Sequence, residues 1–194
     1  MSAFLKKFFK AEASYSYPGS KNFKKLPFSF LGEGSNVMAP FLIKNHKYIS
    51  IGKNFTALYN LRIEAWDEFA GERFSPKIII GNDVIFNSDV HIGCIDRVQI
   101  GDNVLMASRI FITDHSHGEI TKEAFKIPPG KRSLVSKGPV IIKDNVWIGE
   151  GVSILSGVTI GKNSIIGANA VVTKSIPPNC VAGGIPCRIL KELN

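Results

Sequence analysis

Residues 139–178 read PVIIKDNVWIGEGVSILSGVTIGKNSIIGANAVVTKSIPP, and their spacing decides the fold. Every sixth residue is aliphatic: Ile142, Ile148, Ile154, Ile160, Ile166 and Val172. Four residues beyond each comes a small or β-branched side chain: Val146, Val152, Val158, Ser164, Ala170 and Ile176. Gly149, Gly161 and Gly167 directly follow the aliphatic residue. Upstream the same period holds at Ile80, Phe86 and Ile92, and again at Ile100, Met106 and Ile112, with a two-residue slip between the triplets. A weaker version begins at Ile51-Gly52.

A period of six fits neither an α-helix nor a simple strand. It fits a coil with three flat sides, each side a short strand built from one hexad. The aliphatic residue points inward and a small residue makes the corner. Stacked coils then pair parallel strands in register, so each backbone N–H and C=O finds a partner above or below. Each inward Ile or Val removed from water stabilises by roughly 1.5–3 kcal/mol before entropy is subtracted. One coil cannot bury its own core, so stability comes from stacking. The spacing therefore predicts an all-β fold, a parallel β-helix of about five coils. An ordinary sheet domain rich in Ile-Gly turns is the alternative, but ordinary strands do not hold a six-residue phase from 142 to 172. Handedness does not follow from the pattern, because parallel crossovers are normally right-handed.

Departures from the period outline the rest of the chain. Residues 1–48 read as a basic N-terminal arm or capping segment, residues 49–178 as the β-helix, and residues 179–194 as a C-terminal cap ending in a short helix that closes the last coil. In the arm, Phe4, Leu5, Phe8 and Phe9 fall on one side of a helix beside Lys6, Lys7 and Lys10. That pattern suits packing on the solenoid end or contact with a membrane surface. Residues 64–79 break the phase as a bulge. The largest break, 114–139, leaves after Ile112, and the phase returns at Ile142; Pro128, Pro129, Gly130, Gly138 and Pro139 mark a protruding loop. Long excursions from a regular scaffold usually serve function.

The chain has 194 residues, 44% hydrophobic and 21% charged, enough for a real core. No apolar run reaches the roughly 18–20 residues of a membrane span. The lysines inside the first apolar stretch do not fit a secretory leader. Cys94, Cys180 and Cys187 are an odd set without C-x-x-C, which argues against a disulfide framework or zinc site and fits a reducing, cytoplasmic compartment. The net charge of +8 favours anionic partners without choosing among them. No motif for nucleic acid accompanies it, and no nucleic-acid partner is expected.

Histidines carry the candidate chemistry. His91 lies in a coil, while His115 and His117, in Asp114-His115-Ser116-His117, sit at the root of the long loop. A neutral imidazole is the natural general base near pH 7, and a neighbouring carboxylate can fix its tautomer. No other ligand cluster accompanies the pair, so no metal is expected. No nucleophile elbow, P-loop or dinucleotide fingerprint is present, which leaves direct transfer between a bound donor and an acceptor.

The segments IGDNVLMASRIFITDHSHG (100–118) and DNVWIGEGVSILSGVTIGKNSIIGANAVVTKSIPPNCVAGGIPCRIL (144–190) resemble the hexapeptide-repeat acyltransferases across roughly residues 49–190. Residues 63–118 further resemble O-acetyltransferases of bacterial surface polysaccharides. The resemblance implies a left-handed β-helix, a homotrimer and acetyl-CoA bound in clefts between subunits. It implies O-acetyl transfer to a sugar of a capsule, lipopolysaccharide or exopolysaccharide, or a precursor, in the cytoplasm or at the inner face of the membrane. In related galactoside and maltose acetyltransferases the catalytic histidine lies seventeen residues after the isoleucine of IGDNV, which here is His117, with His115 the rival base. By the same alignment Asn87 helps hold the acceptor and joins the catalytic set, and Asp114 is taken as a second acceptor contact. Trp147, Ala168, Thr173, Lys174 and Arg188 match residues around the coenzyme. Glu150 departs from the small hydroxyl residue usual after W-I-G, and the helical segment that shapes the acceptor pocket in those enzymes is not recognisable. Alternatives are an N-acetyltransferase of an amino sugar or antibiotic and a metal-dependent hydratase on the same coil.

Overall fold

The computed structural model describes residues 22–193. The apolar Phe4–Phe9 stretch of the arm lies outside them. Strands stack into three parallel faces, as the hexads require. The first face runs through Phe30–Leu31, Ile49–Ile51, Lys77–Ile80, Arg97–Ile100, Val140–Ile142 and Thr159–Ile160. The second takes Asn36–Val37, Thr56–Ala57, Ile85–Phe86, Leu105–Met106, Trp147–Ile148, Ile165–Ile166 and Cys180–Gly183. The third takes Phe41–Lys44, Leu61–Ala65, His91–Cys94, Phe111–Thr113, Ser153–Ile154 and Val171–Val172.

The predicted inward residues form one continuous core. Ile80, Phe86, Ile92, Ile100, Met106, Ile112, Ile142, Ile148, Ile154, Ile160, Ile166 and Val172 are all buried. Corners are turned by residues in the left-handed region, chiefly Asn54, Asn60, Asn103, Asn145, Asn163 and Asn169, a conformation asparagine tolerates better than most residues. Their side chains also tie coils together: Asn145 donates to Asn163 (3.1 Å) and Asn163 to Asn179 (2.8 Å).

Glycines after the inward isoleucine permit the close stacking. A Cβ on Gly161 would lie 2.2 Å from the Pro178 nitrogen and 2.5 Å from the Pro177 carbonyl carbon, both backbone atoms that cannot swing aside. Gly161→Ala is therefore expected to destabilise the fold by about 1–3 kcal/mol, read as a lowered Tm; an unchanged Tm would contradict this packing.

Two sequence expectations need correction. The stack begins earlier than residue 49. Phe30–Leu31, Asn36–Val37 and Phe41–Lys44 form a first coil in register with the next, making six coils among the described residues. Phe23 is buried there, its ring edge-on to Phe41. The chain also does not end in a helix. Arg188–Glu192 is a strand that pairs antiparallel with Cys180–Gly183. The last rung of the second face exposes unpaired backbone groups, and a returning strand satisfies them where a helix would not. All three cysteines are buried free thiols.

The breaks in the hexad share one place. Residues 66–76 and 114–139 both leave the third face and rejoin the first, so both excursions stand on the same corner. The first forms a small antiparallel hairpin, Glu68–Phe69 with Glu72–Arg73. The second pairs Ser116–His117 with Leu134–Val135 and carries the helical turn Lys122–Phe125.

Candidate active site

Between these excursions and the outer surface of the third face lies a cavity of about 320 Å³. Its floor follows from strand register. Residues one position from the inward isoleucines point outward, and pairing aligns Arg62, His91 and Phe111 in one row. Glu64, Gly93 and Thr113 form the next. Gly93 leaves a gap in that row, and the His115 ring sits over it: a Cβ on Gly93 would come 3.2 Å from His115 Cε1. Trp66 and Phe69 of the hairpin and Leu134 of the returning strand close the sides. Phe69, Ile95 and Leu134 also make a small apolar core of their own, which joins hairpin, coil and loop.

Asp114 is the anchor of this region. It is fully buried, 0% exposed, so it does not line the cavity as an acceptor contact, contrary to expectation. Its carboxylate accepts from the backbone N–H of Ile95 (2.9 Å) and of Asp96 (2.8 Å), and from the Cys94 thiol (3.3 Å). It also accepts from His115 Nδ1 (2.9 Å). Burial pushes the carboxyl pKa up, but the bonds from His115, Asp96, Ile95 and Cys94 outweigh it and hold the group below its ordinary range. Holding Nδ1–H fixes the His115 tautomer, leaving Nε2 as the acceptor nitrogen. The neighbouring carboxylate pushes the Cys94 thiol, already raised by burial, far above its usual range.

His117 is exposed on the cavity wall, its ring edge-on to Phe69 at 5.2 Å. Burial by the surrounding loop, then the neighbouring His115, lowers its pKa, and Arg132 adds to this. The nearby Pro129 carbonyl works in the opposite direction. The net shift is down, which favours the neutral imidazole near pH 7.

Sequence reading named His91 but missed its neighbours. His91 Nε2 lies 3.1 Å from Glu64 Oε2, and Arg62 Nε donates to the same oxygen at 2.7 Å. Burial raises the Glu64 pKa, yet the bonds from His91 and Arg62 dominate and the net direction is down. Lys44 lies 3.1 Å from the centroid of the Trp66 ring, and burial lowers its pKa to about 8 against the pull of Glu64 and Asp67. Aligning the coils as Arg62-Ile63-Glu64, His91-Ile92-Gly93 and Phe111-Ile112-Thr113 would have exposed this cluster, since the middle residues are the inward ones.

The remaining candidates lie elsewhere on the chain. Asn87 sits at the corner between the second and third faces, at the far end of the third face from His117. Trp147 stands 51% exposed on the second face, in register with the exposed Leu105 and Ile85. Ala168 lies at the same corner as Asn87 but three coils away, and Thr173 and Lys174 follow the last strand of the third face. Arg188 begins the final strand. Glu150, the departure after W-I-G, pairs with Arg109. No group of three metal-ligating side chains occurs among the described residues.

Comparison with known proteins agrees with this architecture. The bacterial transferase hexapeptide model, of six repeats, matches residues 139–174. WbbJ of Escherichia coli K12, whose name assigns it O-acetyl transfer in lipopolysaccharide biosynthesis, is 40% identical over 159 residues, covering 80% of this chain and 77% of that protein. Galactoside O-acetyltransferase of E. coli K12 is 35% identical over 190 residues, covering 94% and 75%. The crystal structure of a maltose O-acetyltransferase from Clostridium difficile 630 is 34% identical with a TM-score of 0.55, covering 86% of this chain and 71% of that one.

Proposed function

Because the chain belongs to the hexapeptide-repeat acetyltransferases, enzymes built on the left-handed parallel β-helix, we propose that it transfers an acetyl group from acetyl-CoA to a sugar hydroxyl in a bacterial surface glycan or its precursor. The observation that carries this reading is the cavity at the loop root: His115, held by Asp114, and His117, packed against Phe69, face one sugar-sized space walled by aromatic side chains.

The chemistry needs a base, because an alkoxide is inaccessible at neutral pH. His117 takes the hydroxyl proton as the oxygen attacks the thioester carbonyl. The new C–O bond forms, the C–S bond of the collapsing intermediate breaks, and the imidazolium returns its proton to the CoA thiolate. Such a base contributes roughly 10²–10⁴-fold. Asp114 holds His115, whose Nε2 sits over Gly93 where the acceptor would lie. Lys174 and Arg188, both exposed cations on the last coils, suit the CoA phosphates.

The placement of the candidate site residues supports a homotrimer. Ala168 and Asn87 occupy one corner of the prism and His117, Thr173 and Lys174 another, so a single chain does not gather them. A second copy, set with its first corner against the neighbour's loop corner, would complete each cleft, and cyclic symmetry would use every such surface identically. The exposed row Ile85, Leu105 and Trp147 supplies apolar area for that contact.

Gly93 gives a direct check that the cavity holds the acceptor. Gly93→Ala places a methyl group in the gap beneath His115, with 3.2 Å to its ring. The variant is expected to fold and to raise KM for the acceptor about tenfold, with KM for acetyl-CoA little moved. An unchanged acceptor KM would place the acceptor elsewhere.

A further inference from the structure

The proposed acyl transfer leaves one charged cluster of the cavity unused: Arg62, Glu64 and His91. Glu64 is nearly buried, and one of its oxygens takes both Arg62 Nε and His91 Nε2, so it is poorly placed to receive a sugar hydroxyl. Arg62 is different. Its side chain is 50% exposed on the cavity wall, and beyond Glu64 its guanidinium has no side-chain partner among the described residues. Holding the planar guanidinium on Glu64 sets its orientation, so its exposed part can present N–H donors to an oxyanion in the cavity.

The distances suit one sugar ring. Arg62 pairs with His91, and Gly93, beneath the His115 ring, lies two residues further along that neighbouring strand. With strands about 4.8 Å apart and about 3.3 Å per residue, Arg62 and Gly93 are separated by roughly 8 Å of backbone. That is on the order of a pyranose with its substituents. Trp66, Phe69 and Phe111 offer apolar surface along the way.

We propose that Arg62 reads an anionic substituent of the acceptor, so that the acceptor is a sugar carrying a carboxylate or phosphate about one ring away from the hydroxyl that is acetylated. The inference rests on the acyl-transfer reading of the same cavity. Carboxylate, as in a uronic acid, and phosphate, as in a nucleotide- or lipid-linked sugar, share the required chemistry.

The test measures kcat/KM for methyl glucuronoside, methyl glucoside and glucose 1-phosphate, with acetyl-CoA as donor. At least one anionic sugar is expected to exceed the neutral one by about 10–100-fold, and the better of the two identifies the source of the charge. Arg62→Ala is expected to bring the ratio of anionic to neutral kcat/KM close to one, chiefly through KM, while Arg62→Lys keeps part of it. A neutral sugar that performs as well as both anions, or a ratio unmoved in Arg62→Ala, overturns the proposal. If none of the three is acetylated, titrating them into CoA-saturated protein gives the same comparison without turnover, and equal affinities overturn it. CoA binding in that titration tests the acyl-transfer reading separately.

Discussion

Replacing His117 with alanine lowers kcat about 10²–10⁴-fold, the usual contribution of a positioned general base, while the protein folds and binds acetyl-CoA as before. Folding survives because His117 is exposed and outside the main core. His115→Ala is expected to cost less, because the proposed mechanism gives His115 the positioning role and His117 the proton. A large loss in His115→Ala with near-normal turnover in His117→Ala would exchange the two roles. The pH profile carries an independent sign. The base works only when neutral, so kcat/KM rises with pH through its pKa. Burial and the neighbouring His115 hold that pKa below the ordinary imidazole value of 6.5. The acid limb is therefore expected below pH 6.5, and a limb above it would contradict the geometry around the ring.

The second large effect is on the fold. Asp114→Ala removes a buried acceptor from two backbone N–H groups, from His115 and from the Cys94 thiol. Breaking such a buried charged cluster costs about 3–5 kcal/mol, seen as a fall in Tm and in denaturant midpoint. Asp114→Asn keeps the shape and separates charge from packing. The native carboxyl is depressed below the ordinary aspartate value of 3.8, so its stabilisation is fully present above that pH. It is lost as pH falls through the lower folded-state value. Asp114→Asn is expected to lack this acid-side loss of Tm; an identical acid limb in both proteins would show that Asp114 is not the titrating group.

Most of the scaffold is legible from spacing alone, because each inward position in the stack demands an aliphatic side chain and each corner a residue that turns tightly. The first coil escapes that reading although Leu31, Val37 and Ile43 keep the six-residue step. Pro40 and the eight-residue step from Ile43 to Ile51 disguise the phase, and the same step separates Ile92 from Ile100. The closing strand at Arg188–Glu192 is invisible because its exposed side chains carry no alternation; tertiary pairing with an open edge decides it.

Site chemistry is only half legible. His115 and His117 announce themselves where the period breaks. Arg62 and Glu64 do not, since their meeting with His91 depends on coils being superposed across the 66–76 hairpin. Asp114 looks like a ligand-facing carboxylate in sequence. It turns inward because the N–H groups of Ile95 and Asp96, freed where the coil turns toward the next face, offer better partners than solvent.

Direct transfer from a thioester to a sugar oxygen is the central claim, and NMR of the protein incubated with acetyl-CoA and a panel of glycosides tests it most directly. The expected result is one O-acetyl ester formed per CoA thiol released, dependent on His117. Thiol release without an ester, acetyl groups found only on amines, or no affinity for acetyl-CoA at all would contradict it.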